Sequence, residues 1–448
     1  MRNNNSSFLL NIANIILGLV ILLFGMRAVS SISISLAASY INIIPLCLSL
    51  WYISKTLKLN QFIGKKAEKS FIIFIVLLTL FSITFSYYFV YNDYLNKNGE
   101  LCAHREHVWF YDNILTISKF TLFDWVNGAL ADLHLGKYEN LSVYGSLFLR
   151  YGGDLPTNMC IWSAFNLALV AILIVLTAAK FGIEDKKRLW FIMLICLMQP
   201  YLDMIFACHR DGYGQVTIVL GFYIFVCTYK NSLSGIIAFP FYAFLFWIFR
   251  AQYIIIAVAI FFWSTFMSNR KSLNLIFGIV VVALVVLFLL STINIVDYAY
   301  SEMYVGGYEV VNQRAGRSIV NMILISTLGY FPWPNLLQDP LWPWQVFAVF
   351  QGAMNVAMLY HVILIYKNKL SSIIDNPDLF IGVLLLAASV FVPGHMSYTV
   401  VAMPFFASSL VNVSKKRFLK TYGISILIIF FAGLLYSSLG LSGSRAFI

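Results

Sequence analysis

Apolar stretches long enough to cross a lipid bilayer recur along this chain from one end to the other. A hydrocarbon core about 30 Å thick requires roughly 20 residues of helix, and stretches such as Phe71–Phe89 and Leu273–Leu290 are apolar on every face. A transmembrane barrel would instead alternate apolar and polar residues, and that alternation is missing from the sequence. A helix satisfies its own backbone hydrogen bonds in lipid, so the sequence predicts an all-α, polytopic membrane protein.

Composition agrees with this fold class, because 60% of the 448 residues are hydrophobic and 11% are charged. We find no internal repeat and no linker, so residues 1–448 are predicted to form a single integral membrane domain with about 11 to 13 spans. The first span is predicted to be retained, because no convincing signal-cleavage site follows it. The predicted spans are 8–28, 32–53, 71–91, 161–179, 189–208, 213–229, 232–249, 251–268, 273–293, 346–366, 379–396, 398–413 and 421–439.

Basic residues predict the orientation, because short loops rich in lysine and arginine stay in the cytoplasm. When the loop between Lys55 and Lys69 is cytoplasmic and every later span changes sides, 19 of the 30 lysines and arginines lie inside. The N-terminus is then cytoplasmic, and two long outer loops cover about 93–160 and 294–345. Residues 108–136 are predicted to form interfacial helices with their apolar faces turned to lipid. The net charge of +11 thus indicates topology and not nucleic-acid binding.

The predicted outer face carries 14 of the 19 acidic residues, so an active site is expected there. The first outer loop contains Asp112 among aromatic residues. The next outer turn contains Arg210 and Asp211, which either pair and cap helix ends or belong to a site. Arg250 ends the following outward span, where it either snorkels to the interface or binds a ligand, because arginine at membrane depth is costly.

The second outer loop offers phosphate-binding and sugar-stacking candidates. Arg314 and Arg317 stand three residues apart, so on a helix they would share a face and could clamp a phosphate. Trp333 belongs to the proline- and tryptophan-rich run Phe331–Trp344, for which no regular helix is predicted. These tryptophans either anchor the chain at the interface or form a platform for sugars.

Metal binding is not predicted, because the His104–His107 segment lacks the spacing of a zinc motif. Cys102 and Cys160 flank the first outer loop, and they are either a disulfide or two unpaired thiols. The last outer turn contains His395 and Tyr398, where His395 is either a general base or phosphate partner, or a polar turn residue.

Together these features resemble the polytopic glycosyltransferases that use lipid-linked sugars, which include the GT-C superfamily and the O-antigen polymerases. The resemblance rests on the acidic first outer loop, the Arg210-Asp211 turn, Arg250, the proline- and tryptophan-rich loop, and the late His395-x-x-Tyr398 before a proline. It covers most of the chain as a layout.

The resemblance implies a donor sugar on a polyprenyl phosphate or pyrophosphate, a glycan acceptor, no cofactor, and a bacterial inner-membrane enzyme whose active face is periplasmic. By position, Asp112 is implied as the base that accepts the acceptor's proton, with Asp211 and His395 as competing candidates. Positive charge near the leaving phosphate would come from arginines. The arginines concerned are Arg210, Arg250, Arg314 and Arg317.

Several functions remain open at this point. A polymerase of surface-polysaccharide repeat units is favoured, because length, span number and two large outer loops fit it together. A transferase that adds a single sugar, as in serotype modification, is the alternative, and other polysaccharide-assembly proteins are candidate partners for both. A flippase or transporter should show charged or broken helices near the midplane and repeated halves, and neither is clear in the sequence. A structural membrane subunit would leave the charged outer face without a purpose.

Overall fold

The computed structural model describes residues 4–91, 105–121, 139–180, 182–198, 210–229, 232–249, 253–267, 342–366, 377–391 and 413–438, with residues 402, 405–407 and 410. Within these residues all regular structure is helical, which confirms the all-α class. The helices are α1 (Asn4–Ser30), α2 (Leu36–Ile41), α3 (Ile43–Thr56), α4 (Leu59–Ile63), α5 (Lys65–Phe85), α6 (Arg105–Ser118), α7 (Glu139–Gly152), α8 (Asn158–Lys180), α9 (Lys186–Met198), α10 (Arg210–Thr228), α11 (Ser232–Phe249), α12 (Ile254–Met267), α13 (Trp342–Tyr366), α14 (Pro377–Phe391) and α15 (Lys415–Ser438).

Four segments of the described chain are long and apolar enough to cross a membrane: Phe8–Ser30, Leu36–Thr56, Lys65–Tyr88 and Asn158–Lys180. They agree within a few residues with the first four predicted spans. Shorter apolar helices at Gly214–Thr228, Leu233–Ile248 and Gly352–Ile365 coincide with three further predicted spans. The predicted span 273–293 and most of 398–413 lie outside the described residues, and the total number of spans and their orientation stay predictions.

Helix α8 lies at the centre of the described helices. Every residue from Asn158 to Ala178 is buried, and the helix packs against α5, α7, α9 and α10. Small residues such as Ala164, Ala168 and Ala171 allow neighbouring helices to approach closely, which favours packing between helices that are surrounded by lipid.

Interhelical hydrogen bonds connect α1 to its neighbours. Asn11 Nδ2 in α1 donates to the hydroxyl of Tyr223 in α10 at 2.8 Å. Tyr52 in α3 donates to Asn14 Oδ1 at 3.2 Å, and Ser49 Oγ donates to the Gly18 carbonyl at 2.6 Å. Asn11 and Asn14 of α1 therefore lie towards protein, while large apolar residues such as Leu9 and Phe24 are exposed.

The two ends of α8 differ chemically. At its N-terminus, which we call the polar end, α8 meets the start of α2 through a hydrogen bond of 2.6 Å between Ser39 and Thr157. At its C-terminus, which we call the basic end, the chain continues through Asp185 into the basic first turn of α9. Lys55 and Glu68 form an ion pair of 3.1 Å between α3 and α5, near the start of α5.

The described part of the predicted interfacial stretch 108–136, which is residues 108–121, differs from the prediction. It contains the predicted helical structure in α6, but the apolar face of α6 packs on protein and not outward: Ile114 and Ile117 are buried, and α6 packs against α7. An amphipathic pattern predicts that a helix has an apolar face, but it does not predict whether lipid or another helix covers that face.

The end of the second long loop also departs from expectation. Helix α13 begins at Trp342 and includes Pro343 and Trp344, so the prediction that this run could not be helical is wrong for its last three residues. The first N–H groups of a helix have no acceptor within it, so a proline there loses no hydrogen bond. Its fixed φ also suits the helix.

Candidate functional site

The polar end is organised around the buried side chain of Asn158. Its Nδ2 donates to the carbonyls of Gly152 and Gly153 at 2.7 and 2.9 Å, and its Oδ1 accepts from Ser39 Oγ and Asn42 Nδ2, both at 3.1 Å. Gly153 adopts φ +86°, a conformation that glycine reaches without strain. Asn158 therefore joins the α7–α8 turn to the junction of α2 and α3.

Helix α7 runs antiparallel to the first half of α8. The Tyr144 hydroxyl donates to Asn166 Oδ1 at 2.9 Å, and Phe148 stacks on Trp162 with ring centroids 5.5 Å apart. Gly145 is required by this contact, because a Cβ there would lie 2.6 Å from the Trp162 ring. Burial raises the pKa of the Tyr144 phenol, so the group stays protonated and remains a donor. These contacts make α7 a fixed support for the helix that lies on it.

Helix α6 is held on that support by side-chain bonds to main-chain carbonyls. The Arg150 guanidinium donates to the carbonyls of Ile117 at 3.2 Å and Ser118 at 3.3 Å, and also to that of Phe120. These carbonyls lie at and just after the C-terminal end of α6, where the helix itself supplies few donors. In the middle of α6, the Tyr111 hydroxyl donates to the Asp154 carbonyl at 3.2 Å. The middle and the C-terminal end of α6 are thus anchored to the α7–α8 hairpin.

Asp112 is the predicted catalytic residue that the described structure places in a defined position. Its side chain is exposed on α6, one residue after the anchored Tyr111. Partial burial raises the pKa of the Asp112 carboxyl above the usual aspartate value. A carboxylate with a raised pKa on a fixed support is a better proton acceptor than a free aspartate.

The other predicted site residues are not brought to Asp112 by the described structure. Arg210 and Asp211 form the start of α10, which replaces the predicted outer turn by the first turn of a helix, and an acid there is favourable to the helix dipole. The remaining candidates lie outside the described residues: Arg250, Arg314, Arg317, Trp333, His395 and Tyr398.

The described residues contain no group of three His, Cys, Asp or Glu side chains arranged for a metal ion. Cys160 is a buried free thiol, whose Sγ donates to Ser86 Oγ at 3.3 Å at the polar end. Its predicted alternative partner, Cys102, lies outside the described residues.

No family model, curated protein or solved structure matches this chain. Its function therefore has to be inferred from its own residues and their geometry.

Sequence reasoning missed the residues that position Asp112. Arg150 was passed over inside the aromatic stretch Tyr144–Tyr151, although an isolated arginine in an apolar helix needs a partner for its charge and donors. Asn158 gave a similar signal, because an amide at the start of a fully apolar helix is expected to be hydrogen-bonded when buried. Both signals indicate a buried polar contact, but neither identifies the partner.

Proposed function

We propose that this chain is a bacterial inner-membrane glycosyltransferase that acts at the periplasmic face on polyprenyl-(pyro)phosphate-linked sugars, most simply as a polymerase of surface-polysaccharide repeat units. A membrane setting is supported by the large apolar side chains exposed on α1, α3, α5 and α15. Phe24 is 65% exposed, Leu77 59% and Phe431 63%, which is an apolar surface that soluble monomers do not present.

The observation that carries the proposal is the placement of Asp112. An exposed carboxylate with a raised pKa stands on a helix that is anchored at its middle and at its C-terminal end, in the loop that the charge pattern predicts to be outer. Proton acceptors need a fixed position within reach of the acceptor hydroxyl, and a rigid helix provides it better than a loop. This placement favours an enzyme over a purely structural membrane subunit.

The proposed step transfers one sugar. Asp112 accepts the proton of an acceptor hydroxyl as that oxygen bonds to the anomeric carbon of the donor sugar, and the bond from that carbon to the phosphate oxygen breaks. The polyprenyl phosphate or pyrophosphate leaves with the electron pair of that bond. Arg210, Arg250, Arg314 and Arg317 are proposed to stabilise the developing negative charge.

The direct test measures sugar transfer by purified variants. Asp112→Asn is expected to lower kcat/KM by at least about 100-fold, because the amide accepts no proton at neutral pH. Since burial raises the pKa of Asp112, wild-type activity should fall at low pH as this carboxylate becomes protonated, starting above the pH at which a free aspartate titrates. Glu184→Gln, a change at an exposed acid near the basic end, is the matched control and should keep wild-type activity.

Three outcomes decide the assignment of the base. Loss of activity in Asp112→Asn with retention in Asp211→Asn supports Asp112. The reverse pattern transfers the role to Asp211, and full activity in both variants refutes a carboxylate base at either position.

A deletion strain separates the kinds of transfer. Loss of the long lipopolysaccharide ladder, with a single repeat unit retained, supports a polymerase. An intact ladder of altered mobility or serotype indicates a transferase that adds one sugar. An unchanged pattern contradicts both and favours transport.

A further inference from the structure

Three basic segments that are far apart in the chain lie side by side at the basic end. Helix α4, which leads directly into the basic start of α5, contacts α9. Phe191 of α9 packs edge to face on Phe418 of α15 with ring centroids 5.3 Å apart, and each ring follows the basic first turn of its helix. We call the exposed cations of these segments the basic face. They are Lys58, Lys65, Lys66, Lys69, Lys186, Lys187, Arg188, Lys415, Lys416, Arg417 and Lys420.

The acidic residues near the basic face do not neutralise it. Glu68 is buried and is occupied by Lys55 at 3.1 Å and by the hydroxyl of Ser54. Asp185 accepts from the backbone N–H of Lys187 at 2.8 Å and lies 3.5 Å from Arg188. Glu184 is exposed beside it, so one further acid faces the eleven cations. Apart from Arg188, the cations of the basic face make no ion pair with any residue that the structure describes.

Helix stability does not account for these charges. Lys65, Lys186 and Lys415 are the first residues of α5, α9 and α15, so they lie at the positive ends of three helix dipoles. Cations are unfavourable there, and three basic first turns placed together also repel one another. A negative partner outside the described residues would therefore stabilise this arrangement.

Apolar surface begins close beside the cations on the same helices. On α5, Lys69 is followed by Ile73, which is 58% exposed, and on α15, Lys420 is followed by Ile424, which is 47% exposed. A nucleic acid or an acidic soluble protein matches the charge but not the apolar surface four residues further on. A phospholipid with an anionic headgroup offers both, the phosphate for the lysines and the acyl chains for the apolar residues.

We propose that the basic face is a binding surface for anionic phospholipids, formed jointly by α4–α5, α9 and α15. This inference rests on the charge and exposure of the described residues and is independent of the glycosyltransferase proposal. The lipids supply negative charge at these helix ends, where the described cations outnumber the acids.

The test uses the full chain in a neutral detergent, with bound lipid counted by mass spectrometry of the intact complex. Phosphatidylglycerol is expected to bind more tightly than phosphatidylcholine, and 1 M salt should remove the difference, because screening then acts within about 3 Å. The triple variant Lys415→Gln, Lys416→Gln, Lys420→Gln should bind phosphatidylglycerol at least about tenfold more weakly. Lys119→Gln, which removes an exposed lysine just after α6, is the matched control and should bind as wild type does.

Glutamine keeps the length and helix propensity of lysine, and the salt comparison on wild-type protein needs no variant at all. Equal binding of the two lipids by wild-type protein would overturn the proposal. So would wild-type affinity in the triple variant. Displacement of phosphatidylglycerol by millimolar inorganic phosphate would also overturn it, since that result would indicate a site for small anions and not for lipid.

Discussion

Helices α1 and α8 present membrane-length segments of the same size and similar apolarity, yet their surroundings are opposite. The candidate spans Phe8–Ser30 and Asn158–Lys180 both have 23 residues. All of α8 up to Ala178 is buried, whereas α1 exposes large side chains such as Leu9 and Phe24, at 67% and 65%. The apolar side chains of both helices favour burial away from water, but hydropathy does not determine whether lipid or protein covers them.

The positions of small and polar residues differ between α8 and α1. In α8 they occur around the helix, with Ala164, Ala168 and Ala171 buried and Asn158 and Asn166 hydrogen-bonded to other helices. In α1 the interhelical hydrogen bonds come from one face, where Asn11, Asn14 and Gly18 contact α10 and α3. An apolar helix with small and polar residues on all sides is therefore expected inside such a protein, and one with a single such face at its periphery.

The largest predicted effect comes from removing the central amide of the polar end. Asn158→Ala leaves the Asn42 amide and the Gly152 and Gly153 carbonyls without their buried partner, and unmade hydrogen bonds of buried groups destabilise by about 1–3 kcal/mol each. We expect a loss of about 4 kcal/mol in the free energy of unfolding, measured as a lower Tm in detergent.

The matched change on the peripheral helix is Asn14→Ala, which removes one hydrogen bond, from Tyr52. It should destabilise by less than about 1 kcal/mol. Equal losses in the two variants would mean that α1 and α8 are equally embedded, which contradicts the comparison.

The same substitution, alanine to leucine, should destabilise the protein more in α8 than in α1. Ala168 is 0% exposed in α8 and Ala13 is exposed in α1, so leucine is forced against neighbours at the first position and meets open surface at the second. Ala168→Leu is expected to lower the free energy of unfolding by about 2 kcal/mol, and Ala13→Leu to change it by less than about 0.5 kcal/mol. The Tm and the monodisperse fraction after heating measure both, and a larger effect at Ala13 would refute the assignment of its face as peripheral.

Those parts of the fold that depend only on the length of an apolar segment were predictable from the sequence. The spans in α1, α3, α5 and α8 follow from apolar length, because lipid thickness sets a minimum that few other structures meet. The packing of α6 and the start of α13 at Trp342 were not predictable in this way. Ile114 is buried because α7 packs on it, and Pro343 is helical because it lies in the first turn of α13. A local sequence pattern contains neither the neighbouring helix nor the point at which a helix starts.

The candidate site was predictable only for its exposed residue. Asp112 was proposed from its position in the first predicted outer loop, which the resemblance to polytopic glycosyltransferases implies for the base. Arg150 donates to the carbonyls of Ser118 and Ile117, which are 32 and 33 residues away in the chain. The sequence does not indicate these partners, because every residue has a main-chain carbonyl. The positioning part of a site is therefore the part that needs a structure.

The smallest expected effect concerns α7, which contacts both α1 and α8 and carries α6. Arg150→Met keeps an unbranched apolar stem and the helix propensity of α7 but removes the donors to three carbonyls at the end of α6. Overall stability should fall by only about 1 kcal/mol, since α6 lies at the edge of the core. Amide exchange should nevertheless become faster throughout Arg105–Ser118 and stay unchanged in α8, because local opening exposes only the detached element. Unchanged exchange in α6 would mean that Arg150 does not hold this helix, and the rigid placement of Asp112 would then lose its physical basis.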